Sequence, residues 1–295
     1  MIDGKKVLIT GGTGSLGQAL TRRLLESDVD TVRIFSRDEW KQTQMHNEFN
    51  DSRIRYLIGD VRDKERLNHA LEDIDVVFHA AALKHVPVAE YNPFEAVKTN
   101  VYGTQNLIEL CFKHEVETAV GIGTDKAVAP LNTYGATKML MERLFVSANY
   151  YKGNHKTKFV CVRYGNVLGS RGSIVPLFLD QIKTKNKITI TNPSMTRFNI
   201  TMGKALDLIL RASEQGKGGE VFIPKLKAYQ TGDLKDAIIE SVKSNCKVER
   251  IPVRPGEKFH ESLISKDEIR NVFESADDYI ILEEMTQNYE VEELF

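Results

Sequence analysis

The sequence predicts an α/β fold: a doubly wound parallel sheet with a small discontinuous domain towards the C-terminus. Three observations predict it. Short β-branched runs alternate with helical patterns through the first half of the chain. Such alternation requires parallel strands and crossover helices, because a parallel connection must travel back over the sheet. The first strand runs into a glycine-rich turn that opens a helix, and after about residue 165 glycine and proline punctuate the chain and the elements shorten.

Residues 6–10 read as the first strand and 16–27 as the first helix. Strands are expected at 31–35, 54–58 and 76–79, each followed by helical sequence. A fifth strand at 118–122 precedes a long helix over 134–151, and 158–163 is the sixth strand. Apolar residues crowd more than one face of 97–112 and 139–150, as helices do when they pack against a second copy of the chain. Beyond the punctuated stretch 165–176, shorter elements are expected at 176–184, 202–215, 221–223 and 231–244. The expected division is a nucleotide-binding domain over 1–165 and a mainly substrate-binding domain over 166–295, with late segments free to return to the first. The acidic tail, 283–295, is expected to be loosely ordered.

Composition narrows the function. The 295 residues are 41% hydrophobic and 27% charged with a formal net charge of −1, so no global field recruits nucleic acid or an acidic membrane. No apolar run approaches the roughly 18 residues of a membrane span. The N-terminus runs straight into a strand, so no signal peptide is expected. Cys111, Cys161 and Cys246 are too widely spaced for a zinc site or a disulfide framework. The expectation is a cytoplasmic protein with no metal and no nucleic-acid or membrane partner.

After the first strand come Thr10-Gly11-Gly12-Thr13-Gly14-Ser15-Leu16-Gly17. Gly11 permits a tight turn, Gly14 lets backbone approach a pyrophosphate, and Gly17 lets the helix pack close to its strand. The N–H groups of Thr13, Ser15 and Leu16 lie at the helix N-terminus, whose positive dipole end suits phosphate. This places a dinucleotide on a Rossmann-type domain. The second strand ends in Ser36-Arg37-Asp38. A basic residue here holds a ribose 2′-phosphate, whereas an acidic one binds the 2′-hydroxyl. Ser36 and Arg37, helped by Lys41, favour NADP over NAD, although Asp38 pulls the other way. Asp60 and Val61 are placed to meet the adenine, and the small side chains of Ala80 and Ala81 let the cofactor lie along the strand ends.

The fifth strand leads into Gly123-Thr124-Asp125-Lys126, followed by Tyr134 and Lys138. On a helix Tyr134 and Lys138 are i and i+4 and share a face. A tyrosine hydroxyl, with an ordinary pKa of about 10, becomes a useful base when a neighbouring ammonium favours the tyrosinate. Tyr134 is thus expected to accept a hydroxyl proton as hydride leaves for the cofactor. His79 is expected to pack at a strand end, and His85 to be structural.

These stretches, together with 36–41, 81–93, 163–173, 195–198 and 254–258, resemble the extended short-chain dehydrogenases/reductases. Within them they resemble the inverting UDP-N-acetylglucosamine 4,6-dehydratases of pseudaminic acid and capsule pathways. The resemblance spans about residues 1–265. The glycine loop and the Tyr-Lys pair are shared by the superfamily, whereas residues 83–93 and Thr124-Asp125-Lys126 mark the branch. It implies a UDP-sugar substrate and a transient 4-keto sugar. Tyr134, with Thr124 positioning the hydroxyl, takes the 4-hydroxyl proton while C4 gives hydride to NADP+. Lys126 removes the C5 proton, protonated Asp125 serves the departing 6-hydroxyl, and hydride returns to C6. A proton then reaches C5 on the opposite face, giving the inverted 6-deoxy-4-keto sugar. A lysine base calls for a lowered pKa and an aspartic acid for a raised one.

The resemblance also places Asn166, Arg171, Arg197, Arg254 and Glu257 around the substrate and Lys84 between cofactor and sugar. It implies a homodimer or higher homo-oligomer. The chain departs from the branch at Gly123, where serine is usual, at Asn199, where an aromatic is common, and in stopping early. Gly123 is expected to loosen the strand end, and Asn199 to alter the sugar site or the dimer surface. Two competing readings are a UDP-N-acetylhexosamine 4-epimerase and a non-catalytic NADP-binding sensor.

Overall fold

The structure, a computed structural model, describes residues 2–282. The acidic tail at 283–295 lies outside the described residues. The first half carries β1 (Lys6–Thr10), β2 (Thr31–Ser36), β3 (Ile54–Ile58), β4 (Val76–His79), β5 (Thr118–Ile122) and β6 (Lys158–Val162). The second carries β7 (Asn166–Val167), β8 (Lys187–Ile190), β9 (Thr196–Ile200), β10 (Val221–Pro224), β11 (Ala228–Gln230), β12 (Lys247–Arg250), β13 (Val272–Glu274) and β14 (Asp278–Ile281).

The main sheet has the order β13-β14-β10-β6-β5-β4-β1-β2-β3. Each neighbouring pair from β10 to β3 is parallel, and β14 and β13 close the edge antiparallel. The strand order reverses between β1 and β4, which opens a crevice at the carboxyl ends of the strands.

Both faces of the sheet are covered, so its strands are apolar on both sides. In β1, Val7 and Ile9 enter one core and Leu8 the other, as the two-residue period of a strand dictates. The first face packs α1 (Ser15–Leu25), α2 (Glu39–Phe49) and α9 (Met202–Gln215), through Leu20, Met45 and Leu208 among others. The second packs α3 (Lys64–Leu71), α6 (Gly103–Lys113) and α7 (Thr133–Tyr151) around Leu67, Leu107 and Phe145.

Segments beyond residue 165 serve both parts of the molecule. Helix α9 and strands β10, β13 and β14 belong to the main sheet and its covering layer. The remainder forms the sheet β11-β9-β7, the parallel pair β12-β8, and helices α8 (Ile174–Lys185) and α10 (Thr231–Ser241). Phe178, Ile188 and Ile238 form the small core of this part.

Residues 97–112 are not one helix. Two short helices, α4 (Val86–Tyr91) and α5 (Pro93–Val97), lead into a π-helical turn at Lys98–Tyr102 and only then into α6. Buried Asn100 lies in this wide turn. Its amide donates to the Leu83 carbonyl and to Thr137 Oγ1, both at 3.0 Å, and its Oδ1 accepts from Leu83 N at 2.8 Å. The turn thereby ties the end of β4 to α7, and π-turns recur where a helix serves a functional site.

Buried Arg163, after β6, makes a second tie. Its guanidinium pairs with Glu142 of α7, meets Glu268 at 2.7 Å and donates to the Leu263 carbonyl at 2.9 Å. This network holds the segment around residues 261–268 against β6 and α7.

Candidate active site

A cleft of about 1100 Å³ runs over the carboxyl ends of β1, β2, β4, β5 and β6, and is walled opposite by β9, β11 and residues 251–258. Among the residues expected at the site, all but Asp125 and Arg171 line it.

The glycine loop lies at one end. Gly11 has φ +69°, and a Cβ there would lie 2.8 Å from Ala81 N. A Cβ on Gly17 would strike the Gly12 backbone. Gly14 caps α1 without a side-chain hydrogen bond, leaving the first-turn N–H groups open to the cleft. These features form the backbone cradle that a pyrophosphate fits.

At the end of β2, buried Ser36 is fixed by Gln42, whose amide donates to Ser36 O and Oγ. Asp38 is spent on structure: it caps α2 by accepting from Lys41 N at 3.0 Å and pairs with Lys41 Nζ at 2.5 Å. The hydrogen bond from Lys41 holds its carboxyl below the usual range. Half-exposed Arg37 lies 3.6 Å from Asp60, which is itself bound by Arg62 at 2.6 Å. Val61, Ala80 and Ala81 complete this wall.

Lys84 Nζ donates to the Arg171 carbonyl at 3.2 Å, and Arg171 N donates to Ser15 Oγ at 3.3 Å. Residues 170–172 therefore lie across the glycine loop. Both of these hydrogen bonds use the Arg171 main chain, while its guanidinium acts electrostatically on Lys84 and Asp38 at the rim of the cleft. Burial, with Arg171 close by, pulls the Lys84 pKa down. His85 precedes α4 and packs against Gly172.

The chemistry-bearing residues gather where β5 ends. Asp125–Ala127 form a 3-10 turn, anchored by Asp125 N donating to Tyr164 O at 2.9 Å. The first turn of α7 presses on it so closely that a Cβ on Gly135 would strike the Lys126 carbonyl. Asn132 caps α7 by accepting from Gly135 N at 2.8 Å, and donates to Gly256 O at 2.9 Å. Asp125 is fully buried, and its Oδ1 accepts from Thr124 Oγ1 and Lys126 Nζ, both at 3.0 Å. Lys126 Nζ also lies 3.3 Å from Asn166 Oδ1 and 3.8 Å from Glu261 Oε1.

Two electrostatic expectations are corrected. The Lys126 pKa is raised rather than lowered: burial works against the ammonium, but Asp125 and Glu261 outweigh it. Lys138 does share the Tyr134 face of α7, yet its Nζ donates to the Ile122 carbonyl at 2.7 Å, and burial lowers its pKa to about 8. The tyrosine hydroxyl is instead influenced by Lys126 and a hydrogen bond with Thr124. These oppose the burial that leaves its pKa raised.

On the facing wall, Arg197 donates to the Phe259 carbonyl at 3.1 Å and lies 3.4 Å from Glu257, whose Oε2 accepts from Arg254 N at 3.3 Å. Asn199 accepts from the Tyr229 hydroxyl at 3.0 Å, so this departure orients a cleft tyrosine. Gly123 does not loosen the strand end: a Cβ there would lie 2.6 Å from the Val162 carbonyl, so glycine permits close approach to β6. Sequence reasoning missed Asn132, Tyr164, Tyr229, Lys258 and Glu261, all of which line the cleft. Lys258 and Glu261 lie in or just beyond the 254–258 stretch that the resemblance marked; Tyr229 carries no motif. His79 is buried between Thr10 Oγ1 at 2.8 Å and Thr104 Oγ1 at 3.1 Å, and burial drops its pKa to about 3.

The doubly wound sheet, the glycine cradle and the Tyr134/Lys138 helix together define an extended short-chain dehydrogenase/reductase. More narrowly, the polysaccharide biosynthesis protein family model matches residues 7–283, and the chain belongs to that family. A Campylobacter jejuni protein named UDP-N-acetylglucosamine 4,6-dehydratase (inverting) is 47% identical over 95% of this chain and 84% of its own length. A Rickettsia canadensis protein named UDP-glucose 4-epimerase is 41% identical over 95% of this chain and 84% of its own. The X-ray structure of Pen from Bacillus thuringiensis superposes with a TM-score of 0.94 at 46% identity, covering 96% of this chain and 91% of that one. No described helix is long and apolar enough to cross a membrane.

Proposed function

We propose that this chain is a UDP-N-acetylglucosamine 4,6-dehydratase that inverts C5, using NADP. The observation that carries the reading is the Asp125–Lys126 pair at the end of β5 beside Tyr134, with Asp125 fully buried. Oxidation at C4 needs Tyr134 and a cofactor. An acid and base fixed beside them serve a second operation, elimination across C5 and C6. The 47% identity to an enzyme of that name supports it.

An oxidised nicotinamide bound here would supply the hydride acceptor for C4 and the hydride donor for C6, and its positive charge would favour the tyrosinate. The glycine cradle holds its pyrophosphate, and Arg37, with Ser36 and Lys41 beside it, holds the 2′-phosphate. The use of Asp38 as a helix cap supports NADP, since that carboxylate is engaged by Lys41 and not free for a ribose hydroxyl. Arg197 and Arg254 bind the diphosphate of the substrate, and Asn166, Glu257 and Lys84 contact the sugar nucleotide.

Tyr134 takes the 4-hydroxyl proton, with Thr124 aligning the two oxygens. At rest Lys126 is an ammonium. Passing one proton across the 3.0 Å to Asp125 turns the ion pair into a neutral amine and a carboxylic acid, so one transfer makes both the base and the acid. The amine removes the C5 proton, which the new 4-keto group acidifies. Asp125 lies behind Thr124 and Lys126, so its proton reaches the departing 6-hydroxyl through the Thr124 hydroxyl. With hydride returned to C6 and a proton from solvent delivered to C5 on the opposite face, the net change is the loss of one water. The protein works in the cytoplasm, supplying a deoxy-amino sugar to a surface polysaccharide such as one containing pseudaminic acid.

Incubation with UDP-N-acetylglucosamine in D2O, followed by NMR, tests the reading. A C6 methyl with deuterium at C5 is expected, and Lys126→Ala should lower C5 exchange by about 10²-fold or more, the usual contribution of a general base. A mixture of gluco and galacto sugars with an intact 6-hydroxyl would make it a 4-epimerase. Bound nucleotide without turnover would make it a sensor.

Cofactor choice has its own test. Arg37→Ala should weaken NADP binding by roughly tenfold or more while leaving NAD binding nearly unchanged, read by calorimetry, because one charge-assisted contact contributes about 1.5–3 kcal/mol. Equal losses for both nucleotides would assign Arg37 to the fold.

Tyr91, Phe94, Tyr102 and Leu140 are exposed on α4, α5, the π-turn and α7. We propose that this apolar surface pairs with a second copy. Light scattering should give a dimer or higher oligomer, and Leu140→Glu should reduce it to a monomer.

A further inference from the structure

One buried ionisable group in the cleft has no part in the mechanism above. Glu261 lies where residues 259–261 run beside β9, with Thr196 N donating to Phe259 O at 3.1 Å and Glu261 N donating to Thr196 O at 3.4 Å. Its side chain is buried and lines the cleft. Oε1 lies 3.8 Å from Lys126 Nζ. Oε2 lies 3.7 Å from Lys258 Nζ and has no hydrogen-bond partner. A buried carboxylate oxygen without a donor is costly. Such a group contributes little to the fold by itself, and its position against the ammonium calls for a different role.

The charges alternate along this line: Asp125, Lys126, Glu261, Lys258, with successive separations of 3.0, 3.8 and 3.7 Å. Lys258 is anchored at its far end by the Val128 carbonyl. The other ionisable groups that influence the line are Tyr134 and Tyr229, which interact with Lys126, and Arg197, which interacts with Glu261. Asp125 alone would leave the Lys126 ammonium held from one side. With Glu261, the ammonium lies within 4 Å of two carboxylates from separate segments and 3.3 Å from Asn166.

From this geometry, and resting on the dehydratase reading, we infer that Glu261 is a positioning residue that clamps Lys126 opposite Asp125 and sets the pH above which Lys126 acts on C5. Its negative charge stabilises the ammonium, so the apparent pKa of the base is higher with Glu261 than without it. Burial raises the proton affinity of Glu261 itself, opposed by Lys126 and Lys258, in keeping with a carboxylate that shares charge within the line. Glu261 thus takes no part in bond making or breaking and acts through Lys126.

The test is the pH profile of C5 deuterium exchange and of kcat/KM for wild type, Glu261→Gln and Glu261→Asp. Activity should rise with pH as Lys126 becomes free to act. In Glu261→Gln the rising limb should move to lower pH by roughly one unit, the displacement typical of losing an opposite charge within about 4–6 Å. Glu261→Asp keeps the charge but withdraws it by one methylene, so its limb should fall between the two. It also serves as the readout if the Gln variant does not fold. KM for the UDP-sugar should change less than kcat. Superimposable limbs, or a shift to higher pH, would overturn the inference, as would failure of both variants to fold. If the wild type forms no dehydrated product, the dehydratase reading fails by itself. The clamp is then read directly by NMR titration of 13C-labelled Lys126, where a lower midpoint in the variants upholds it and an unchanged one ends it.

Discussion

Lys126 is an ammonium held in a mostly buried position by charge on two sides, and the arrangement of the site follows from keeping it there. A lysine placed at such a depth without anions would lose its proton or reach for solvent. Here Asp125 comes from the same turn and Glu261 from a segment over a hundred residues later. Both must arrive within 4 Å of one nitrogen, so the end of β5, the first turn of α7 and the 254–261 segment are fixed relative to one another. The ties already described do this: Gly135 against the Lys126 carbonyl, Asn132 between α7 and Gly256, and Arg163 binding α7 to residues 263–268.

The sheet supplies the second half of the geometry. A parallel sheet gathers its strand ends on one edge, so the glycine loop after β1, the Ser36–Asp38 turn after β2 and the turn at the end of β5 that carries Lys126 open into one cleft. Close backbone approach recurs at Gly11, Gly17, Gly123 and Gly135, each where a Cβ would meet main chain. The cofactor cradle and the ionisable cluster are thus built on rigid elements, and the second part of the chain brings Arg197, Tyr229 and Arg254 across from the other side.

Much of this was legible in the sequence for physical reasons. Strands β1, β2, β4, β5 and β6 are apolar and largely buried, and edge strand β3 still begins and ends on isoleucine, so their runs are clear, and the glycine spacing follows directly from the turn and the helix packing. The later strands β8, β9 and β11 to β14 are three to five residues long and often half exposed, and gave no comparable pattern. The π-turn carried no local signal: the partners of Asn100 within it, Leu83 and Thr137, lie 17 and 37 residues away. Helical periodicity correctly put Tyr134 and Lys138 on one face, but not where the lysine ends: its ammonium reaches the Ile122 carbonyl. The demand for a lowered Lys126 pKa failed because adjacent Asp125, joined by Glu261 from a distant segment that spacing alone cannot pair with it, outweighs burial. Asp38, read as a vote against NADP, is a helix cap.

The dehydratase reaction oxidises C4 only to move water out across C5 and C6. Its most direct test is UDP-N-acetylglucosamine carrying deuterium at C4, with the product examined by NMR and mass spectrometry. Transfer within one molecule from C4 to C6, giving a monodeuterated methyl group and no loss of label to solvent, is the predicted result. Label that remains at C4, with the 6-hydroxyl still in place, would contradict it.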